Sequence, residues 1–148
     1  MKMITSFNTL FKVFIISFAL NLLWEHLHVF LYAHYKGGII TEKILLHATL
    51  ADALFTVGFA LLFLVPSFLK KRMWLVIPLG FALSISIEKW ALASGRWAYG
   101  SSMPIIPLIN VGLTPAIQIG LLAYLTFYFV RLGKAKAGVA ERSIKSII

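Results

Sequence analysis

The 148-residue sequence contains no cysteine, which removes disulfides, thiolate metal sites and a cysteine nucleophile from consideration. It is also short of acid, with five Asp and Glu against fourteen Lys and Arg. Charged residues of both signs make up only 13% of the chain, about half the usage of soluble domains. Apolar residues fill their place: the hydrophobic content is 60% and the mean hydropathy +0.90, which argues against a water-soluble globule.

Crossing the hydrocarbon core takes about 20 helical residues at ~1.5 Å rise each. Four runs meet that need, over residues 10–35, 45–69, 73–94 and 108–131. They are parted by Lys36-Gly37-Gly38, by Lys70-Lys71-Arg72 and by a longer segment, 95–107, whose Gly, Ser and Pro residues suit a structured loop. The expected fold is all-α: one membrane domain, 1–148, forming a four-helix transmembrane bundle with a basic tail over 132–148. Ser17-Phe18-Ala19 has the form of a signal-peptide cleavage site, but strong hydrophobicity continues past it, so the first run reads as a retained helix.

A net charge of +9 could suggest a nucleic-acid partner, yet the cations are segregated along the chain. Lys2, Lys12, Lys70, Lys71, Arg72, Arg131, Lys134, Lys136, Arg142 and Lys145 flank one face of the bundle; only Lys36, Lys43, Lys89 and Arg96 fall on the other. This positive-inside bias places both termini in the cytoplasm and the protein in the cytoplasmic (plasma) membrane, with membrane lipid as its partner and no nucleic acid. The tail, with Val139, Ile144, Ile147 and Ile148 among its cations, reads as solvated or as lying on anionic lipid.

Three of the five acids, Glu25, Asp52 and Glu88, fall inside these runs. An ionisable side chain in hydrocarbon costs roughly 2.5–3.5 kcal/mol on insertion scales, so it faces the bundle interior and marks function. With both termini inside, all three reach one layer in the outer half. Asn21, Glu25 and His28 follow i, i+4, i+7; Thr49, Asp52 and Thr56 follow i, i+3, i+7; Ser84 and Glu88 are i, i+4; Asn110, Thr114 and Gln118 are i, i+4, i+8. Each run therefore carries one polar stripe, and the arrangement expected is a polar cup above an apolar floor. Hydrogen-bonded helix–helix contact explains Asn21, Ser84, Thr114 and Gln118 equally well, but contact needs no charge, and three carboxylates exceed it.

Carboxylates crowded in low dielectric cannot all stay ionised, so one is expected to donate a proton while another accepts it. Glu25, Asp52 and Glu88 are the catalytic candidates, with His28 as tuner or relay. Lys89 or Arg96 could instead neutralise Glu88 and make the set a structural ion-pair network. Glu25-x-x-His28 has the spacing used by di-iron bundles, but no second copy of the motif occurs. A mononuclear metal site, or haem ligation by His28 and His47, is the weaker alternative, and the residues specify no cofactor. His26 points about 160° away from His28 on a helix and reads as interfacial or lipid-facing, and His34 as an interfacial loop residue. In Arg96-Trp97-Ala98-Tyr99, the aromatics are belt anchors or the lining of a lid, and Arg96 caps the third helix or meets an anionic head group. Trp24, Asn21, Arg96, Trp97, Tyr99, Asn110, Thr114 and Gln118 are the substrate-binding candidates.

Asn21-Leu22-Leu23-Trp24-Glu25 with Leu31-Tyr32, His47 with Asp52, Gly95-Arg96-Trp97-Ala98-Tyr99 with Met103-Pro104, and Gly112-Leu113-Thr114-Pro115 with Gln118 together resemble a widespread group of small, uncharacterised bacterial four-span membrane proteins. The resemblance covers residues 21–118 and implies the four-span fold, but brings no activity with it. That group commonly carries Gln at the His28 position and Gly at the Ala51 position, a departure that weighs against a metal site built on His28. The functional expectation is acid–base chemistry on a lipid or isoprenoid-like substrate. Its alternatives are a proton, cation or small-solute transport protein, as a homo-oligomer, and a metal- or haem-binding membrane protein.

Overall fold

The computed structural model describes residues 2–64 and 70–145, with side chains described for 7–64 and 71–133. Helix α1 (Lys2–His28) passes through a 3-10 turn, Val29–Leu31, into strand β1 (Tyr32–Tyr35). Helix α2 (Glu42–Phe63) follows, and a 3-10 segment, Lys70–Leu75, leads into α3 (Val76–Ala93). Three short strands come next, β2 (Trp97–Tyr99), β3 (Ile105–Ile106) and β4 (Val111–Gly112), before α4 (Leu113–Lys145). The helices supply four stretches long and apolar enough to cross a membrane: Phe7–Leu31, Glu42–Phe63, Lys71–Ala93 and Leu113–Gly133. This is the composition of a multi-pass helical bundle. The expected last turn of the second run, residues 65–69, lies outside the described residues, as do the side chains of the basic tail.

Two boundaries differ from expectation for a physical reason. The first run stops being helical at Leu31, because Tyr32–Tyr35 pairs antiparallel with Trp97–Tyr99. The fourth helix begins at Leu113 and not near 108, because Ile105–Ile106 and Val111–Gly112 form a hairpin. Leu108 and Asn110, inside that hairpin, hold positive φ angles of 74° and 54°, which no helix contains. The same helix runs on through residues expected as a tail, to Lys145.

Helix α4 is the centre of the bundle: 56% of its span is buried, against 22% for α1 and 28% for each of the other two. It packs on α3 and on α1, while α1 packs on α2. Helices α2 and α3 barely touch, so the four stand as an arch, α2-α1-α4-α3, whose two ends face each other across a gap. The closest approach is between α3 and α4. A Cβ on Gly120 would lie 2.5 Å from the Ile77 carbonyl oxygen, and one on Gly80 would overlap the Gly120 backbone, so these two glycines let the helices meet main chain to main chain.

The buried faces are polar in the upper half and apolar below. Val13, Ser17, Asn21, Glu25 and His28 follow one face of α1, and Val76, Gly80, Ser84 and Glu88 one face of α3. The large apolar side chains Phe7, Phe11, Ile15, Leu23 and Leu27 turn outward on α1, as a lipid-facing surface requires. Beneath the polar layer, Val13, Ala60, Phe63, Leu64, Met73, Val76, Ala123, Phe127 and Val130 form the apolar core.

Candidate functional site

The four helices border a half-open cavity of about 680 Å3, lined on its acidic side by Glu25, Asp52 and Glu88 and closed on the α4 side by Pro115, Gln118 and Ile119. Helix α2 contributes Ala48, Ala51 and Phe55 to one wall, and α3 contributes Ser84 and Ile87 to the opposite one, so the cavity occupies the gap between the ends of the arch.

Two carboxylates meet on one amide. Gln118 Nε2 donates to Glu25 Oε1 at 2.8 Å and to Asp52 Oδ2 at 2.7 Å, and also lies 3.2 Å from Asn21 Oδ1. An amide nitrogen carries two hydrogens, so three acceptors compete for two donors. Asn21 is held from the other side, donating to the carbonyl and hydroxyl of Ser17 at 2.9 and 3.2 Å. Glu25, Asn21 and Gln118 are buried, and Asp52 stands half-buried where α2 borders the cavity.

Glu88 is held differently. It accepts hydrogen bonds from Trp97 Nε1 at 3.2 Å, from Tyr32 Oη at 3.5 Å and, most closely, from Tyr99 Oη. The donors come from a two-stranded cap. Tyr32 faces Tyr99 and Tyr35 faces Trp97, with a bulge between Tyr32 and His34. Trp97 and Tyr99, two residues apart on one strand, share a face, and the extra residue in β1 brings Tyr32 and Tyr35 to that same face. Tyr99 Oη also accepts the backbone N–H of Gly112 at 3.0 Å, tying the cap to the start of α4. Burial and the neighbouring Glu88 carboxylate push the phenols of both Tyr32 and Tyr99 well up.

The sign of that shift gives a testable pH dependence. A phenol harder to ionise when folded adds stability that is complete below the unfolded tyrosine value, about 10, and is lost as pH rises beyond it. Melting temperature in detergent, followed by circular dichroism from pH 8 upward, is expected to fall above about pH 10. The fall should be shallower in Tyr99→Phe; an equally steep fall in that variant would show that Tyr99 does not contribute.

His28 is buried and lines the cavity. Its Nδ1 lies 2.7 Å from the Trp24 carbonyl, an acceptor, so the neutral ring carries its hydrogen there and leaves Nε2 as the basic nitrogen. His47 also lines the cavity, from an exposed position. His26 points away, to Glu42 at 2.9 Å, and His34 sits in β1, accepting the Gly37 N–H at 3.1 Å. Among the described residues, no three His, Asp or Glu side chains converge as a metal site would require. Nor does a cation among the described residues pair with Glu88: Arg96 donates from Nε to Tyr35 Oη at 3.1 Å and stacks on Trp90.

Of the expected substrate-binding residues, Arg96, Trp97 and Gln118 line the cavity. Asn21 and Tyr99 lie behind it as partners of the carboxylates, and Thr114 reaches Met103 Sδ at 3.5 Å. Asn110 is exposed in the β3–β4 turn, off the α4 stripe. Trp24 is not among the lining residues; its buried Nε1 has no hydrogen-bond partner among the described residues, and the same holds for Thr49 Oγ1 and Ser84 Oγ. Ser84 does line the cavity, although its hydroxyl oxygen is itself buried. Tyr32, Tyr35 and Trp90 line the cavity as well without having been expected as site residues; Tyr32 stands four residues beyond His28 and seven beyond Glu25, one turn along the first stripe.

No family model matches this chain, and neither a curated protein nor a solved structure is significantly similar to it.

Proposed function

We propose that this protein is a membrane-embedded acid–base enzyme that binds a lipid or isoprenoid-like molecule in the cavity and transfers protons to and from it with Glu25 and Asp52. The observation carrying this reading is the meeting of two carboxyl groups on Gln118 at the end of a mainly apolar, ligand-sized cavity. One carboxyl delivers a proton to one carbon of a substrate double bond, and the other removes a proton from the carbon on the far side of the cationic centre so formed. The result is a shifted double bond, and the sum of atoms is unchanged. Positive charge developing between the two steps lies near the ring faces of Tyr32 and Trp97 and the carboxylates themselves. His28, with Nε2 as its basic nitrogen, exchanges the proton with the carboxyl pair. Glu88, already engaged by three aromatic donors, positions the cap.

Transport is the less supported reading. A path through the inner half would have to pass Val13, Phe63, Met73, Val76 and Phe127, and the Thr126 hydroxyl at that level is bonded to its own helix, at Leu122 O. In the orientation proposed, both termini face the cytoplasm and the cavity lies in the outer half of the cytoplasmic membrane, a reading supported by the distribution of Lys and Arg.

Proton transfer to carbon can be read without knowing the substrate. Purified protein incubated with total membrane lipid in heavy water is expected to place deuterium on carbon in a discrete lipid species, detected by mass spectrometry. Glu25→Gln and Asp52→Asn should each reduce that incorporation at least about 100-fold. Absence of enzyme-dependent incorporation with the wild type would remove the acid–base reading.

A further inference from the structure

The rim of the cavity has the opposite polarity to its depth. Arg96 lines it, fixed in place by its Nε bond to Tyr35 Oη and by stacking, its guanidinium 5.0 Å from the centre of the Trp90 ring and 6.0 Å from that of Tyr35. Lys36 approaches the same Tyr35 ring, its Nζ at 5.8 Å. The aromatic contacts use the face of the guanidinium and the tyrosine uses Nε, which leaves both Nη groups, the edge that recognises oxyanions in pairs. Among the described residues no carboxylate pairs with Arg96. The acid that could, Glu88, takes its hydrogen bonds from Tyr32, Trp97 and Tyr99, so the aromatic cap both satisfies the acid and keeps the cation unpaired. Lys36 and Arg96 follow the ends of the spans Phe7–Leu31 and Lys71–Ala93 by five and three residues, which in the proposed orientation puts them at the level of the outer head groups. Glu88 lies five residues below the end of α3, roughly 7 Å down the helix.

We infer that Arg96, at the mouth of the cavity, with Lys36 on the same Tyr35 ring, binds the phosphate of a single-chain lipid phosphate, whose hydrocarbon chain lies in the cavity beside Ala51, Phe55 and Ile87. The inference builds on the proposed lipid chemistry and gives its substrate a head group. Phosphate fits better than carboxylate because two cations share one aromatic ring and a phosphate monoester carries close to two negative charges. Glu25 lies six residues before the end of its span at Leu31, roughly 9 Å along the helix, so a chain fixed at Arg96 brings its first several carbons down to the carboxyl pair, and the carbons that exchange protons are those nearest the head.

Trp90 and Trp97 line the cavity and report on its occupancy. Tryptophan emission of the full chain in a neutral detergent, titrated with dodecyl phosphate, dodecanol and dodecyltrimethylammonium, should show dodecyl phosphate binding at least about tenfold more tightly than dodecanol. Arg96→Gln and Lys36→Gln should each shrink that difference, while Arg96→Lys, which keeps the charge and loses the fork, should fall between. Unchanged far-ultraviolet circular dichroism identifies the variants that fold. Equal affinity for phosphate and alcohol, or a preference for the ammonium compound, overturns the inference. Displacement by inorganic phosphate alone would assign the rim to free phosphate, and equal displacement by a two-chain phosphatidylglycerol would assign it to bulk lipid; either overturns the single-chain reading. The two proposals fail separately: deuterium exchange on a neutral lipid without phosphate preference removes only this one, and phosphate preference without exchange removes only the acid–base chemistry.

Discussion

Replacing Gln118 by leucine is expected to destabilise the protein by at least about 2 kcal/mol, because a buried acceptor that loses its donor costs about 1–3 kcal/mol, and the two hydrogens of Gln118 Nε2 are shared among Asn21, Glu25 and Asp52. The informative comparison is with its partners. If the cluster exists for stability, the triple variant Gln118→Leu, Glu25→Leu, Asp52→Leu should remain less stable than the wild type. If it is held at a cost for the sake of proton transfer, apolar replacement should recover stability, since exchanging a buried polar set for packed hydrocarbon is often neutral or stabilising. The site described above predicts recovery together with complete loss of deuterium incorporation. Unfolding can be followed by helical circular dichroism in detergent, and a Gln118→Leu protein as stable as wild type would remove the cluster from the argument.

A second large effect is expected where α3 and α4 touch. Because a Cβ on Gly120 would lie 2.5 Å from the Ile77 carbonyl oxygen and one on Gly80 would overlap the Gly120 backbone, Gly80→Leu and Gly120→Leu should prevent the pair from packing. Even alanine at either position should cost about 1–3 kcal/mol. Gly58, on α2, has nothing within 4 Å of its would-be Cβ. There Gly58→Ala should be neutral or should stabilise by up to about 1 kcal/mol through helix propensity. Thermal melts of the three alanine variants decide the matter: equal behaviour at 58, 80 and 120 would mean that the close approach does not carry the packing. Since α3 brings Glu88 and α4 brings Gln118, disorder in this contact should also separate the two halves of the site.

How far the sequence could be read depended on whether a feature was local. The stripe Asn21, Glu25, His28 was legible because a helix repeats itself every few residues, and the same holds for Thr49, Thr56, Ser84 and Glu88, all buried as their spacing requires. Pairing between distant segments leaves no such trace. Tyr32–Tyr35 is an apolar continuation of a helical run by composition, and only its partner Trp97–Tyr99, some 65 residues later, makes it a strand. From that pairing came what the sequence could not supply: the three donors on Glu88, the Tyr35 contact of Arg96 and the exclusion of Arg96 from an ion pair with Glu88. Asn110 failed for a related reason. Its spacing to Thr114 and Gln118 is helical, but Pro107 and two left-handed residues, Leu108 and Asn110, hold that segment in a hairpin, and short apolar runs carry no periodicity long enough to tell the two apart.

The gap between α2 and α3 bears on how occupancy of the cavity should scale. A lipid phosphate dissolves in the bilayer and reaches such an opening by diffusing in two dimensions, so its controlling concentration is its mole fraction among the surrounding lipids. Apparent affinities quoted against aqueous concentration will drift with every change in the amount of detergent or lipid added, while those expressed per mole of lipid will stay constant. Dilution with inert lipid at fixed protein and ligand should therefore empty the site as effectively as removing ligand.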